Sequence, residues 1–354
     1  MERLNESRAQ VYPGTNAGKK KRQRVTIVDV AEAAGVSKTT ISRYINGKYE
    51  YMSDESKERI GKIIEELGYR PNKLARGLKM RESRVIGVIV ADLTSPFSPI
   101  MLKGINDCCE RYGYRILIAN SDNSSRKERE YVMHMADQQV DGIILNTTGY
   151  NMDFLARFHE DTGMNFVLAD RPLRRRVFDI VRSDDRKAIV DALKYMRTSG
   201  YETVGLFVYE LRKSSTRIHR CKIFKEAYRE IFPGEPQICS FKGDMTDDAV
   251  LERFLGAHAG RRTGILTVNG EVTMRLIKSM LSLGLDFPRD CGVCSFDDWD
   301  WMSLVGGGLT AVAQPTYLMG RECVKRMMYR LHRNKHAAPK VLELPCELIE
   351  RHST

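Results

Sequence analysis

The chain has 354 residues, 42% of them hydrophobic, and carries 57 Lys and Arg against 46 Asp and Glu, a formal net charge of +11. That length allows two or three domains with real cores and excludes a disordered tail protein, a collagen-like repeat or a disulfide-stapled miniprotein. The charge is uneven: residues 1–84 hold 19 Lys and Arg against 11 Asp and Glu, so a basic head precedes a nearly neutral body, and nucleic acid is the first candidate for a polyanionic partner.

The first residues, MERLNESRAQ, lack the apolar core of a secretory signal, and the apolar stretch 85–91 is far too short to span a membrane. A cytoplasmic protein with no membrane partner is expected. The eight Cys then read as reduced packing residues, the C-x-x-C pair Cys291 and Cys294 included, and His332 and His336 as a solvated helix face. No metal or cofactor is expected.

Residues 1–24 are polar and end in Lys19-Lys20-Lys21-Arg22-Gln23-Arg24, a disordered basic arm by composition. Three short helices follow. Thr26 with Asp29 three residues on suits a capped helix start, and Gly35 permits a tight turn after it. Ser37 caps a second helix with Ile41 and Ile45 on its inner face. A third opens at Ser53-Asp54-Glu55, turns Ile60, Ile63, Ile64 and Leu67 inward, and ends at Gly68. Beyond residue 85 the texture changes to short β-branched or apolar runs at 85–90, 114–119, 141–145, 166–169, 204–208, 264–268 and 292–296. Amphipathic stretches such as 100–111, 127–139, 187–199 and 272–283 separate them, which predicts βαβ units in parallel sheets, packed as two α/β lobes with ligand space between.

The small residues Ala31 and Gly35, with Val36 and Ile41 behind the second helix, have the spacing of a helix-turn-helix. The outward positions of that second helix are Lys38, Thr39, Thr40, Ser42 and Arg43, all able to donate hydrogen bonds to base edges or phosphates. The run from Thr26 to Ser37, then Thr40-Ile41-Ser42-Arg43 and Asn46-Gly47, resembles the N-terminal signature of LacI/GalR-type transcriptional regulators. The likeness continues through residues 66–72, Ala75-Arg76, Leu78 and Ile86-Gly87-Val88.

That resemblance implies a small all-α helix-turn-helix head plus an α/β two-lobed, periplasmic-binding-protein-like body. It implies a helix-turn-helix domain at 25–70, a hinge helix and linker at 71–84, and an effector-binding and dimerisation domain at 85–354. Lobe 1 would be about 85–182 and 314–343, and lobe 2 about 183–313 and 344–354. By the same resemblance Lys38 and Thr39 would be the main readers of sequence, with Arg43 and Asn46 beside them. Asn72, Ala75 and Leu78 would belong to a hinge helix whose leucine wedges the minor groove.

Ligands of α/β clefts bind just past strand ends, where Asp170-Arg171, Asn269 and Asp297-Asp298-Trp299 lie. The resemblance places Asp170, Arg220, Asn269 and Asp297 on effector-gripping positions and Phe97 on one side of the site, with Trp299 a candidate aromatic face. Ile223, Gly270 and Ser295 depart from residues usual in the family. Arg171 and Arg220 together suit a carboxylate, and the run from Asp297 to Trp301 resembles that of regulators responding to sugar acids such as keto-deoxygluconate. An enzyme is not expected: no G-x-G-x-x-G follows the first body strand, Gly306-Gly307-Gly308 lacks the Lys-Ser/Thr of a P-loop, and there is no G-x-S-x-G elbow. The competing reading, a sugar-binding protein or carbohydrate enzyme with a nonspecific basic tether, would share the two-lobed body, but a periplasmic sugar-binding protein would need a signal peptide and would not carry residues 26–80. The expected partners are double-stranded operator DNA, a small sugar or sugar-acid effector and a second copy of the chain, with a dimer favoured because no leucine heptad follows Arg351.

Overall fold

The computed structural model describes residues 25–50, 52–69, 82–171, 177–209, 214–241, 245–333 and 337–354, and divides into two compact units, Met1–Arg81 and Glu82–Thr354. The basic arm and the hinge candidates Asn72, Ala75 and Leu78 lie outside the described residues.

In the head, α1 (Ile27–Ala34), α2 (Lys38–Ile45) and α3 (Asp54–Glu66) form where the capping residues call for them. The Asp29 amide donates to Thr26 Oγ1 while the Asp29 carboxylate accepts from the Thr26 amide at 2.6 Å, a reciprocal capping box. Gly35 ends α1 at φ 64°, a left-handed turn open to glycine at little cost. The Thr40 amide donates to Ser37 Oγ at 3.1 Å, and the Ser56 amide to Ser53 Oγ at 3.3 Å. Val30, Ala31, Ala34, Ile41, Ile60 and Tyr69 close a small core. Burying Ile41 and Ile60 contributes about 1.5–3 kcal/mol each. Leu67, expected inside, is exposed because α3 has already ended; Tyr69 takes the inner place.

The body runs β1 (Val85–Val90), α4 (Phe97–Arg111), β2 (Arg115–Asn120), α5 (Ser125–Asp137), β3 (Gly142–Leu145), α6 (Met152–Thr162), β4 (Asn165–Ala169), β5 (Asp179–Ser183) and α7 (Asp185–Thr198). It continues with β6 (Thr203–Val208), α8 (Ser215–Ile231), β7 (Gln237–Ser240), α9 (Asp247–Ala257), β8 (Thr263–Thr267), α10 (Gly270–Leu283), β9 (Gly292–Phe296), β10 (Thr310–Ala313), α11 (Thr316–His332), β11 (Val341–Leu344) and β12 (Glu347–Ile349). The strands form two sheets, in the orders β11-β5-β4-β3-β1-β2 and β12-β10-β9-β8-β6-β7, parallel throughout except for β12 on β10. Helices cover both faces of these sheets, so β3, β4, β6, β8 and β9 are buried along their length.

The chain passes between lobes at three points: from β5 into α7, from β10 into α11, and from β11 into β12. α7 packs into the core of the second sheet, α11 into that of the first. Asp179 on β5 anchors the returning segment: its buried carboxylate accepts from Arg326 and Arg330 of α11 and from the Lys340 amide. All eight cysteines are free, and burial pushes the Cys291 and Cys294 thiols up to about 12, as befits packing residues. Among the described residues, no group of three or more His, Cys, Asp or Glu could hold a metal, and no helix is long and apolar enough to cross a membrane.

Candidate functional site

The head presents α2 to solvent on one side. Lys38, Thr39 and Arg43 are exposed, while Thr40 and Ser42 are half-buried. Not all the polar atoms there are equally available. Thr40 Oγ1 lies 2.9 Å from Ser37 Oγ within the cap, and Asn46 Nδ2 donates to the Ser42 carbonyl at 2.7 Å, closing the helix C-terminus. Lys38 and Thr39, in the first turn, carry side chains with no such duty.

In the body, the ends of strands from both sheets converge on a cleft with a cavity of about 150 Å³. Phe97, Asp170, Arg171, Arg220, Asn269 and Asp297 all line it. Trp299 does not; it lines an adjoining recess that shares Phe97, Asp297 and Gln314 with the cleft. The indole packs closely over Gly270: a Cβ there would sit 2.6 Å from its ring carbons, so a larger residue would displace the ring.

Asp170 and Asp297 each follow a buried strand with φ of 67° and 81°, the left-handed region that non-glycine residues adopt only under external constraint. Hydrogen bonds supply that constraint. Asp170 accepts from Thr216 at 3.3 Å and Asn146 at 3.5 Å. Asp297 accepts from the Gly270 amide at 2.9 Å and from Gln314 Nε2. Asn269 caps α10 through its Oδ1, which accepts from the Val272 amide at 3.2 Å.

Arg220 is 3% exposed and nearly saturated. It donates to the Val268 carbonyl and to Gln314 Oε1, both at 3.1 Å, pairs with Asp185 at 3.2 Å, and lies 3.6 Å from the centre of the Phe296 ring. Burial works against its charge, but Asp185, Asp170 and Asp297 outweigh burial and hold its pKa above the ordinary arginine value. Burial likewise pushes the Asp185 carboxyl up to about 6 despite Arg220, and raises that of Asp297. Sequence reasoning did not single out Asn123, Asn146, Arg217, Gln314 or Asp185. Gln314 is the most connected of them: its Oε1 accepts from Ser183 at 2.7 Å and from Arg220, and its Nε2 donates to Asp297. Ser183 ends β5 and Gln314 follows β10, so this knot ties cleft residues to two of the three lobe crossovers.

Residues 26–72 match the family model for bacterial regulatory proteins of the lacI family, and residues 83–352 match that for periplasmic binding proteins and the sugar-binding domain of the LacI family. The transcriptional regulator KdgR of Bacillus subtilis is 39% identical over 95% of this chain and 99% of its own length. PtxS of Pseudomonas aeruginosa is 35% identical over 94% and 96%. A crystal structure of the lac repressor dimer bound to operator and the anti-inducer ONPF superposes with a TM-score of 0.81 at 21% identity, covering 94% of this chain and 99% of that one. A CelR–cellobiose complex gives 0.66 at 22% identity, over 94% and 100%. At these identities the structural matches speak to the fold.

Proposed function

The chain belongs to the LacI family of bacterial regulatory proteins, and from that premise we propose that it is a homodimeric transcriptional repressor of carbohydrate or sugar-acid catabolism genes, working in the cytoplasm under the control of a small sugar-like effector. The observation that carries the reading is the cleft. Asp170 and Arg171 come from one lobe, Arg220, Asn269 and Asp297 from the other, so a polyhydroxylated ligand bonded to both sets biases the angle between lobes. That angle sets the spacing of the two heads of a dimer, each reading one half-site of a pseudo-palindromic operator through Lys38, Thr39 and Arg43, with the 71–84 segment as hinge. A second copy would cover the edge strand β2, which leaves Leu117 and Ile118 exposed. The cleft binds rather than catalyses, and the relatives named as transcriptional regulators support that assignment.

A coupling of about 1–3 kcal/mol corresponds to a change of roughly 5–150-fold in operator affinity, and linkage requires operator to change effector affinity by the same factor. The test is effector titration with and without operator DNA. Replacing Lys38 should alter operator preference, whereas Arg220→Ala should keep DNA binding and lose the effector response. Equal effector affinity in both titrations would sink the allosteric part of the proposal.

A further inference from the structure

Between β9 and β10, residues 298–309 leave the second sheet, pass through a short 3-10 helix at Asp300–Ser303 and return through Gly306-Gly307-Gly308. This loop begins immediately after Asp297, which lines the cleft, and carries Trp299, which packs over Gly270 at the start of α10. The buried Met302 side chain pins its middle, while Leu304 at the far turn is 83% exposed. The Trp301 indole N–H, shut off from solvent, meets no acceptor. Asp297 itself holds a left-handed φ of 81°, a conformation kept only where the surroundings over-determine it. Its carboxylate is tied to Gly270 and Gln314, but the backbone beyond it needs a tie of its own.

Arg351 supplies that tie from outside the cleft. Its guanidinium donates two parallel bonds to Asp298, Nη1 to Oδ1 at 2.7 Å and Nη2 to Oδ2 at 2.8 Å. Nη1 also donates to the Leu309 carbonyl at 2.7 Å, so one side chain joins the first and last residues of the loop. A planar fork on a carboxylate fixes orientation as well as distance, and both side chains here are only about one-fifth exposed. The arginine backbone is locked in turn. Its amide donates to Thr310 Oγ1 at 3.0 Å, and the buried Ser353 hydroxyl donates to the Val293 carbonyl at 2.6 Å and accepts from the Thr310 amide at 2.7 Å. The glycine run is what admits the arginine stem: Gly307 and Gly308 take φ of 81° and 98°, and a Cβ on Gly308 would lie 2.6 Å from Arg351 Cδ.

We propose that Arg351 is a positioning residue for the effector site: by stapling the two ends of the 298–309 loop it holds Asp297 in the cleft and Trp299 against Gly270, and so sets effector affinity without touching the effector. The proposal rests on the reading of the cleft as the effector site. It also gives a role to the glycine run, which is no phosphate cradle but the gap through which the clamp reaches its loop.

The test uses the full chain and two readouts. The first is acrylamide quenching of tryptophan fluorescence in the ligand-free protein, which reports on Trp299 and Trp301 in the loop. The second is calorimetric affinity for 2-keto-3-deoxy-D-gluconate, D-gluconate, D-galacturonate and D-galactose. Arg351→Met keeps the aliphatic stem over Gly308 and removes the fork; it should raise the quenching constant at least twofold and weaken the tightest ligand at least fivefold. Asp298→Asn should do the same, and the double variant should fall no further than the worse single, because both break one contact. Arg351→Lys keeps the charge without the fork and should recover part of the loss. Should Arg351→Met fail to fold, Arg351→Lys and Asp298→Asn carry the same comparison. Quenching and affinity both unchanged overturn the proposal and leave the cleft reading standing. So do losses that add in the double variant, or a loosened loop with affinity within twofold of the wild type. A wild type that binds none of the four ligands overturns the cleft reading and this proposal with it.

Discussion

Asp185→Asn isolates the electrostatics of the lobe junction. Asp185 opens α7 directly after the first crossover, 5% exposed and 3.2 Å from Arg220. Burial raises its pKa to about 6, the attraction of Arg220 offsetting only part of the cost of desolvation while Asp170 adds to it. In the unfolded chain the group titrates near 3.9. Because the folded-state value is the higher one, the folded protein holds this proton more tightly than the unfolded chain does. Stability from this group is therefore complete below pH 4 and lost as pH rises through about 6. A gap of about two units at about 1.4 kcal/mol per unit amounts to about 3 kcal/mol. Asparagine has nearly the same shape and does not titrate, so the stability difference between wild type and variant should shift by about 2 kcal/mol of that total, against the wild type, between pH 4 and pH 7. Urea denaturation across that range gives the measurement, with the fluorescence of Trp299 and Trp301, the chain's two tryptophans, reporting on the lobe that contains the site. The difference matters rather than either curve alone, because buried Asp297, His219, whose pKa burial lowers, and other groups titrate in both proteins and cancel. Parallel profiles, or a wild type that gains on the variant as pH rises, would refute the argument that burial outweighs the Arg220 pairing.

Other perturbations reach different parts of the molecule. Gly270→Ala puts a methyl where the Trp299 ring carbons lie 2.6 Å away, so the indole must move; the tryptophan emission should change and effector affinity should fall severalfold. An unchanged spectrum would mean the recess has slack. Gln314→Leu leaves the buried Asp297, Arg220 and Ser183 each short of a partner, at about 1–3 kcal/mol for each unsatisfied group. It should lower body stability and shrink the factor by which effector changes operator affinity, and a coupling factor equal to that of the wild type would remove Gln314 from the path between cleft and crossovers. Deleting residues 1–22 removes six Lys and Arg and should flatten the dependence of operator affinity on salt without changing which operator is preferred. A shift in preferred sequence, measured by competition between operators, would place specificity in the arm.

How far the sequence could be read depended on how far each residue's role was local. β1 and β9 were legible to the residue because strands covered on both faces are nearly continuous apolar runs, Ser295 being the polar exception. β7, with Gln237 and Ser240 at an exposed edge, and β12, the antiparallel strand closing the second sheet, carry no such run and were missed. Errors in strands propagate to the site. The rule that ligands meet residues just past strand ends produced Asp170 after β4, Asn269 after β8 and Asp297 after β9. Applied to β3 it would also have produced Asn146, and it missed Gln314 because β10, only Thr310–Ala313, had not been recognised as a strand. The two arginines fail differently. Both lie where the sequence put them, but the charge each has to spare is set by partners distant in the chain: Asp185 and Gln314 for Arg220, Asn123 alone for Arg171. Residue type and spacing locate a candidate binding group. Its free valence depends on what the fold has already spent, and here that separates an arginine with a counter-ion and two acceptors from one with a single acceptor.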